Sequence, residues 1–204
     1  MWLRVIVIAV VSYLLGNLNG SVVMSHFIAH EDVRSHGSGN AGLTNYIRNY
    51  GAINALGVVL MDVGKAVAAC LVGRFLLPDY ALEGMAIGAA GVSLGHDFPA
   101  FLNFRGGKGI LCGVTVAAML DWRCALILLG VFAVVLLLSG YVSLSSVLAA
   151  ASICVYAVIM FRSHPVVMVI VVFLGLLAIY MHRGNLQRLC SGTEPKTNLF
   201  KKKP

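Results

Sequence analysis

Apolar residues run almost unbroken over positions 5–28, 52–77, 85–104, 109–120, 124–138, 142–161 and 165–181, with short polar breaks between the runs. A helix needs about 17 to 25 mainly apolar residues to cross a hydrocarbon core roughly 30 Å thick. The pattern therefore predicts an all-α integral membrane protein, a polytopic bundle of about seven transmembrane helices joined by short loops. The run 109–120 covers only about 18 Å at helical rise, so it crosses only by borrowing neighbours toward Lys108 and Trp122. Little length remains for a soluble domain, and residues 1–204 are expected to form one transmembrane domain.

Composition agrees with the pattern. At 59% hydrophobic and 11% charged residues, with mean hydropathy +0.90, the chain is too apolar for a soluble domain, whose apolar share is nearer one half. Arg4 precedes the first run, yet no small-x-small cleavage site follows it, so that run is expected to be an uncleaved span. The net charge of +7 is explained by cytoplasmic loops rich in Lys and Arg, with Lys201, Lys202 and Lys203 as an anchor at an anionic leaflet; no nucleic-acid role is expected. Placing the N-terminus outside delivers Arg34, Arg48, Arg105, Lys108, the turn at Tyr141 and the basic C-terminus to the cytoplasm. That distribution favours seven spans and permits five. The five cysteines include no C-x-x-C pair and no zinc-ligand spacing; Cys70, Cys112, Cys124 and Cys154 fall in apolar runs and read as small core residues, not as a disulfide framework.

Three polar stretches interrupt this apolar chain. Residues 32–51 carry Gly37, Gly39 and Gly42 among Ser38, Asn40, Thr44, Asn45 and Arg48. Small residues let backbone amides turn toward one point, so the stretch is suited to hold an anion. Residues 95–109 place Gly106, Gly107 and Gly109 around Lys108 at the entry to an apolar segment, a second seat for phosphate. It is not a Walker A loop, because Gly109 stands where that motif needs Ser or Thr. Residues 182–196 offer His182, Arg183, Asn185 and Arg188 where the last span ends. All three are predicted on one face of the membrane. Asp62 and Lys65, three apart within the second run, are expected to pair on one helix face, since lone charges at that depth are costly.

The motifs GSGNAGLTNYIR (residues 37–48), GHDFP (95–99) with RGGKG (105–109), and HRGNLQRL (182–189) with Gly192 and Glu194 resemble the bacterial acyl-phosphate:glycerol-3-phosphate acyltransferase family, PlsY. The likeness covers nearly the whole chain. It departs at Gly16, Asn17, Leu18 and Asn19, where a Gly-Ser-Ile-Pro-like turn is expected, and at Ala66, where a glycine is expected. The resemblance implies transfer of a fatty acyl group from acyl phosphate to the 1-hydroxyl of glycerol 3-phosphate, giving lysophosphatidic acid and phosphate, the first acylation of phospholipid synthesis. The implied setting is the bacterial inner membrane, with the site facing the cytoplasm, membrane lipid alongside, no cofactor or metal and no obligate protein partner.

By the same similarity, Ser38, Arg48, Lys108, His182 and Asn185 are the catalytic set. Arg48, Lys108 and His182 would hold phosphates, while the amides at Ser38 and Gly39, with Asn45 and Asn185, would orient reactants or stabilise an oxyanion. Gly37, Asn40, Thr44, His96, Gly106, Gly107, Gly109 and Arg183 complete the substrate-binding candidates, and Ser143 and Ser146 add phosphate contacts at the Tyr141 turn. His182 and His96 are both chemically able to act as the base. Acyl phosphate also carries an oxygen able to take the alcohol proton, and that substrate-assisted route is preferred here. No histidine has Asp five positions later, which disfavours the His-x-x-x-x-Asp class of acyltransferase and its thioester donors. The rival reading is a membrane transporter for phosphate or a phosphate ester, which should show internal repeats and midplane charges; no repeat is detected.

Overall fold

A computed structural model describes residues 1–197, and each of the seven apolar runs contains an α-helix. Among the described residues there is no strand. The chain divides into two compact units, Met1–Leu120 and Asp121–Pro204. The first holds α1 (Trp2–Asn17), α2 (Gly20–Ala29), α3 (Leu43–Tyr50), α4 (Ala55–Leu76), α5 (Ala81–Asp97) and α6 (Ile110–Leu120). The second holds α7 (Trp122–Ser139), α8 (Val142–Met160), α9 (Pro165–Met181) and α10 (Arg183–Cys190).

Among the described residues, four helical segments are long and apolar enough to cross a membrane: 2–29, taking α1 and α2 together, then α4, α7 and α8. Counting the bent pair α9 and α10 as one span gives five. Phe75, Leu60 and Leu138 stand exposed on these helices, as hydrocarbon-facing side chains do.

The first run differs from the continuous helix its hydropathy predicts. It breaks at Leu18 and Asn19, where Asn19 Oδ1 accepts the Val22 amide at 3.1 Å and so starts a new helix. A helix end inside apolar surroundings leaves carbonyls and amides without partners, and α4 supplies them. Lys65 Nζ donates to the Gly16 carbonyl at 3.3 Å and the Leu18 carbonyl at 2.8 Å, while Asp62 Oδ1 accepts the Gly20 amide at 3.2 Å. The cation thus meets the negative end of α1 and the carboxylate the positive end of α2. The two charges pair with each other at 2.8 Å, as their spacing predicts.

In the third run α5 stops at Asp97, earlier than the apolar stretch does. Phe98 precedes Pro99, a position that disfavours helical backbone. The chain then makes a short 3-10 turn at Ala100–Leu102 and two consecutive left-handed residues, Asn103 (φ 54°) and Phe104 (φ 59°). Close helix packing in this unit relies on small residues. A Cβ on Gly16 would strike the Val92 carbonyl, and one on Gly73 would strike Gly84, so α5 lies against α1 and α4 nearly backbone to backbone.

In the second unit, Asp121 caps α7 by accepting the Arg123 amide at 3.0 Å, and Tyr156 of α8 donates to the same carboxylate at 2.6 Å. Gly140 turns the chain from α7 to α8 at φ 74°, and Pro165 opens α9.

Candidate active-site elements in each unit

In the first unit the loop before α3 is organised by one buried amide, Asn45. Its Nδ2 lies 3.0 Å from the Val33 carbonyl and 3.1 Å from those of His36 and Asn40. Its Oδ1 accepts the Ser38 amide at 2.9 Å and the Asn49 side chain at 3.3 Å. An asparagine has two N–H donors and two acceptor lone pairs, so this inventory is spent on the loop. Asn45 thereby positions the loop, the part of its work that the resemblance, which gave it a role in orienting reactants, did not imply. Gly37 (φ 58°) and Gly39 (φ 69°) provide the left-handed backbone that lets the chain fold around this amide.

Around that hub Ser38 is exposed, as are Thr44 and Arg48 on α3, whereas Tyr46 of the same helix is buried in a cluster with Val22, Val33, Ala41, Ala55 and Val58. The helix thus fastens by one face and presents Arg48 on another. Its far end is tied by Tyr50, whose hydroxyl donates to Glu31 Oε1 at 2.8 Å while His36 Nε2 lies 2.9 Å from Glu31 Oε2. The Tyr50 bond, followed by that of His36, holds the Glu31 carboxyl below its usual range.

The second polar stretch packs against the first. Arg34 grips Asp32 through two nitrogens, with Nη2 to Oδ2 at 2.7 Å, and its Nη1 donates to the carbonyls of Leu102 at 3.0 Å and Arg105 at 3.1 Å. The Arg34 bond is the first cause that keeps the Asp32 carboxyl low, against the opposing effect of partial burial. The Gly107 amide donates to the His96 carbonyl at 3.1 Å and the Gly106 amide to that of Asp97 at 3.3 Å, so the glycine turn folds back on the end of α5. Gly109 takes φ 65°, and half-buried Lys108 sits between it and buried Gly107.

Beneath this turn lies the buried group Asp62, Lys65 and His96. Lys65 Nζ is 2.8 Å from His96 Nδ1 as well as from Asp62. Asp62, His96 and Cys112 bring three potential metal-ligand atoms within 4.8 Å of one another. The ammonium of Lys65 already bonds two of the three, and a cation placed there would be repelled; Cys112 Sγ bonds the Asp62 carbonyl at 3.6 Å. His96 itself is 4% exposed, which places it behind the loops instead of at an open surface.

The second unit assembles the third stretch around Glu194. Its Oε1 accepts from Asn185 Nδ2 at 2.7 Å and its Oε2 from Arg188 Nε at 2.8 Å. Burial pushes this carboxyl up, but the nearby Ser143 hydroxyl and the bonds from Asn185 and Arg188 outweigh it and hold the group below its ordinary value. His182 Nδ1 lies 2.8 Å from the Ala178 carbonyl, which places the hydrogen on that nitrogen and fixes the ring. Ser143 and Ser146 are buried, and Ser146 donates back to the Val142 carbonyl at 2.9 Å. Arg183 lies 4.3 Å over the Tyr180 ring and bonds its carbonyl, the arrangement of an interfacial anchor.

Asn17, Asn19 and Arg34 are not among the site residues expected from sequence. Asn17 Oδ1 accepts the Phe101 amide at 3.1 Å, and Asn19 Nδ2 donates to the Ala41 carbonyl at 3.0 Å, so both stitch the first helix break to the polar loops. Their sequence signal was two amides in an apolar run.

A sequence model of the family described as Glycerol-3-phosphate acyltransferase matches residues 6–192. The chain is 37% identical to a Glycerol-3-phosphate acyltransferase of Thermoanaerobacter sp. (strain X514), covering 92% of this chain and 93% of that one. A namesake from Prochlorococcus marinus (strain MIT 9313) is 39% identical over 92% of each chain. The fold matches a crystal structure of PlsY, an integral membrane glycerol 3-phosphate acyltransferase, in its glycerol 3-phosphate form. That match has TM-score 0.85 and 28% identity over 97% of this chain and 99% of that one. A second PlsY crystal structure, the lysophosphatidic acid form, matches with TM-score 0.81 and 27% identity over 94% of each chain.

Proposed function

The chain belongs to the glycerol-3-phosphate acyltransferase family, and from that premise we propose acyl phosphate as its donor and a cytoplasmic membrane surface as its place of work. It is an integral membrane acyltransferase that acylates glycerol 3-phosphate to lysophosphatidic acid. The family and both structural relatives support this reading over a phosphate transporter. In the proposed step the 1-hydroxyl oxygen attacks the acyl carbonyl carbon and a tetrahedral oxyanion forms. The bond from carbon to the phosphate oxygen then breaks, and the leaving phosphate takes the alcohol proton. An anhydride carries its own base in this way, so buried His96 need not serve as one.

The observation that carries the proposal is the lashing of two glycine turns in the first unit, by Arg34 from one loop to carbonyls of the other. Two loops of anion-binding composition held in register suit a reaction whose two substrates both carry phosphate. Arg48 and Lys108 are assigned to the phosphates and the Ser38 amide region to the developing oxyanion, with Gly37, Gly39, Asn40, Thr44, Gly106, Gly107 and Gly109 shaping the loops. From the second unit, His182 and Asn185 are assigned to the same reaction, with Glu194 supporting Asn185. The membrane arrangement proposed is seven crossings in a single transmembrane domain, with the N-terminus outside and the polar stretches facing the cytoplasm of a bacterial inner membrane.

The deciding experiment incubates the purified protein in detergent with acyl phosphate. Phosphate release that requires glycerol 3-phosphate and yields lysophosphatidic acid is the expected result. Turnover with acyl-CoA at an equal or greater rate would overturn the donor assignment.

A further inference from the structure

The buried charges of the first unit reach the substrate loop by a continuous set of contacts. Lys65 is held by four acceptors: Asp62 Oδ1, the Gly16 and Leu18 carbonyls, and His96 Nδ1. An ammonium can only donate, so Nδ1 of His96 must accept and the ring hydrogen must sit on Nε2. That nitrogen faces Gly107 so closely that a Cβ there would collide with it, and the Ala41 carbonyl lies on the same spot at 3.1 Å. His96 holds Gly107 a second time through its own carbonyl, which accepts the Gly107 amide. Ala41 is fixed from behind by Asn19. Gly107 is therefore clasped between the His96 ring and the first polar loop, and the next residue is Lys108.

We propose that Lys65, acting through His96, is a positioning residue that sets the Gly106-Gly107-Lys108-Gly109 turn and so the place of the Lys108 ammonium against substrate phosphate. The inference rests on the assignment of Lys108 to phosphate made above. It separates two duties of one side chain. Lys65 joins the broken ends of α1 and α2, which is structural, and it orients an imidazole that reaches the phosphate loop, which is functional. A buried second layer of this kind is how a flexible glycine turn is held to the tolerance that chemistry needs.

The test uses the full-length protein in detergent. His96→Asn keeps an amide oxygen able to accept from Lys65 but withdraws the ring from Gly107. The expected result is a KM for a phosphorylated substrate raised on the order of tenfold, with kcat changed less than about threefold and a thermal midpoint near that of the parent. Asp62→Asn combined with Lys65→Met removes both charges together, so no lone buried charge is left to unfold the protein, and the same KM rise is expected. With 15N-labelled imidazoles, NMR of the parent protein should show His96 as the Nε2–H tautomer, and the double variant should shift that signal.

Unchanged KM values in both variants, with kcat falling only as the folded fraction falls, would overturn the inference, as would an unshifted His96 signal in the double variant. If the parent protein turns over, Lys108→Ala is inactive and His96→Asn keeps its KM, this inference alone fails. An active Lys108→Ala would instead sink the assignment on which it rests.

Discussion

The Ser38 amide donates to Asn45 Oδ1 at 2.9 Å, so the residue proposed to meet the substrate is held in place by a side chain seven positions later on α3. The same Asn45 amide reaches three carbonyls of the loop through its nitrogen. Its loss would leave several loop groups with weakened or missing bonds, at about 1–3 kcal/mol for each one that stays buried. Asn45→Ala should lower turnover by on the order of a hundredfold, because misplacement by about 1 Å at a reacting centre costs that much. Asn45→Asp, though nearly isosteric, should do no better, since a carboxylate offers nothing to three carbonyls. Steady-state assays of both variants, with limited proteolysis across 33–42, check this; a fully active Asn45→Asp would contradict it.

Arg34 reaches two carbonyls of the second loop while gripping Asp32, and only a guanidinium fork can do both. Arg34→Lys is therefore expected to reduce kcat/KM about tenfold through loop misalignment. It should change stability by no more than about 1 kcal/mol, as for a partly exposed pair. Parallel kinetics and thermal unfolding in detergent measure the two effects.

Lys108→Ala and Arg48→Ala should each lower turnover by about 10²–10³-fold or more, the loss expected when a preorganised charge partner of a transition state is removed. Both variants should still insert and elute as folded protein, because exposed Arg48 and half-buried Lys108 contribute little to helix packing. Near-normal activity in either would remove that residue from the proposed site.

Substrate assistance makes its own forecast at Ser38. With no acyl-enzyme on the path, Ser38→Ala should be impaired but not dead, and intact-mass spectrometry of protein incubated with acyl phosphate should find no acyl adduct. An adduct trapped on the Ser38 hydroxyl would replace the direct-transfer route.

In the second unit the pH dependence follows from Glu194. Its folded value lies below the ordinary 4.5, so the unfolded chain binds the proton more readily. The stabilisation is complete above that ordinary value and disappears as pH falls through the lower folded value. Thermal unfolding followed between about pH 3 and 6 should show this loss in the parent protein and a flatter profile in Glu194→Gln. Equal acid sensitivity in the two proteins would mean that the Asn185 and Arg188 bonds to Glu194 do not report on stability.

Hydrophobic periodicity and chemistry written in residue type were legible in the sequence itself. Runs of apolar residues can satisfy their backbone in a bilayer only as helices, so the all-helical membrane class followed directly. Glycines beside Lys108 and around Ser38 announced tight loop turns, and the three-residue spacing of Asp62 and Lys65 announced their pair. Tertiary structure decided whatever depends on contacts between residues distant in sequence. The break at Asn19 is stable only because Lys65 and Asp62, more than 40 positions on, receive the exposed helix ends. The work of Asn45 as loop hub was hidden for the same reason, since its partners are carbonyls that no residue type specifies. The burial of His96 and its contact with Lys65 were hidden as well, because that partner comes from another helix. Residue identity fixes what a group is able to bond, whereas packing fixes which of those bonds are already taken.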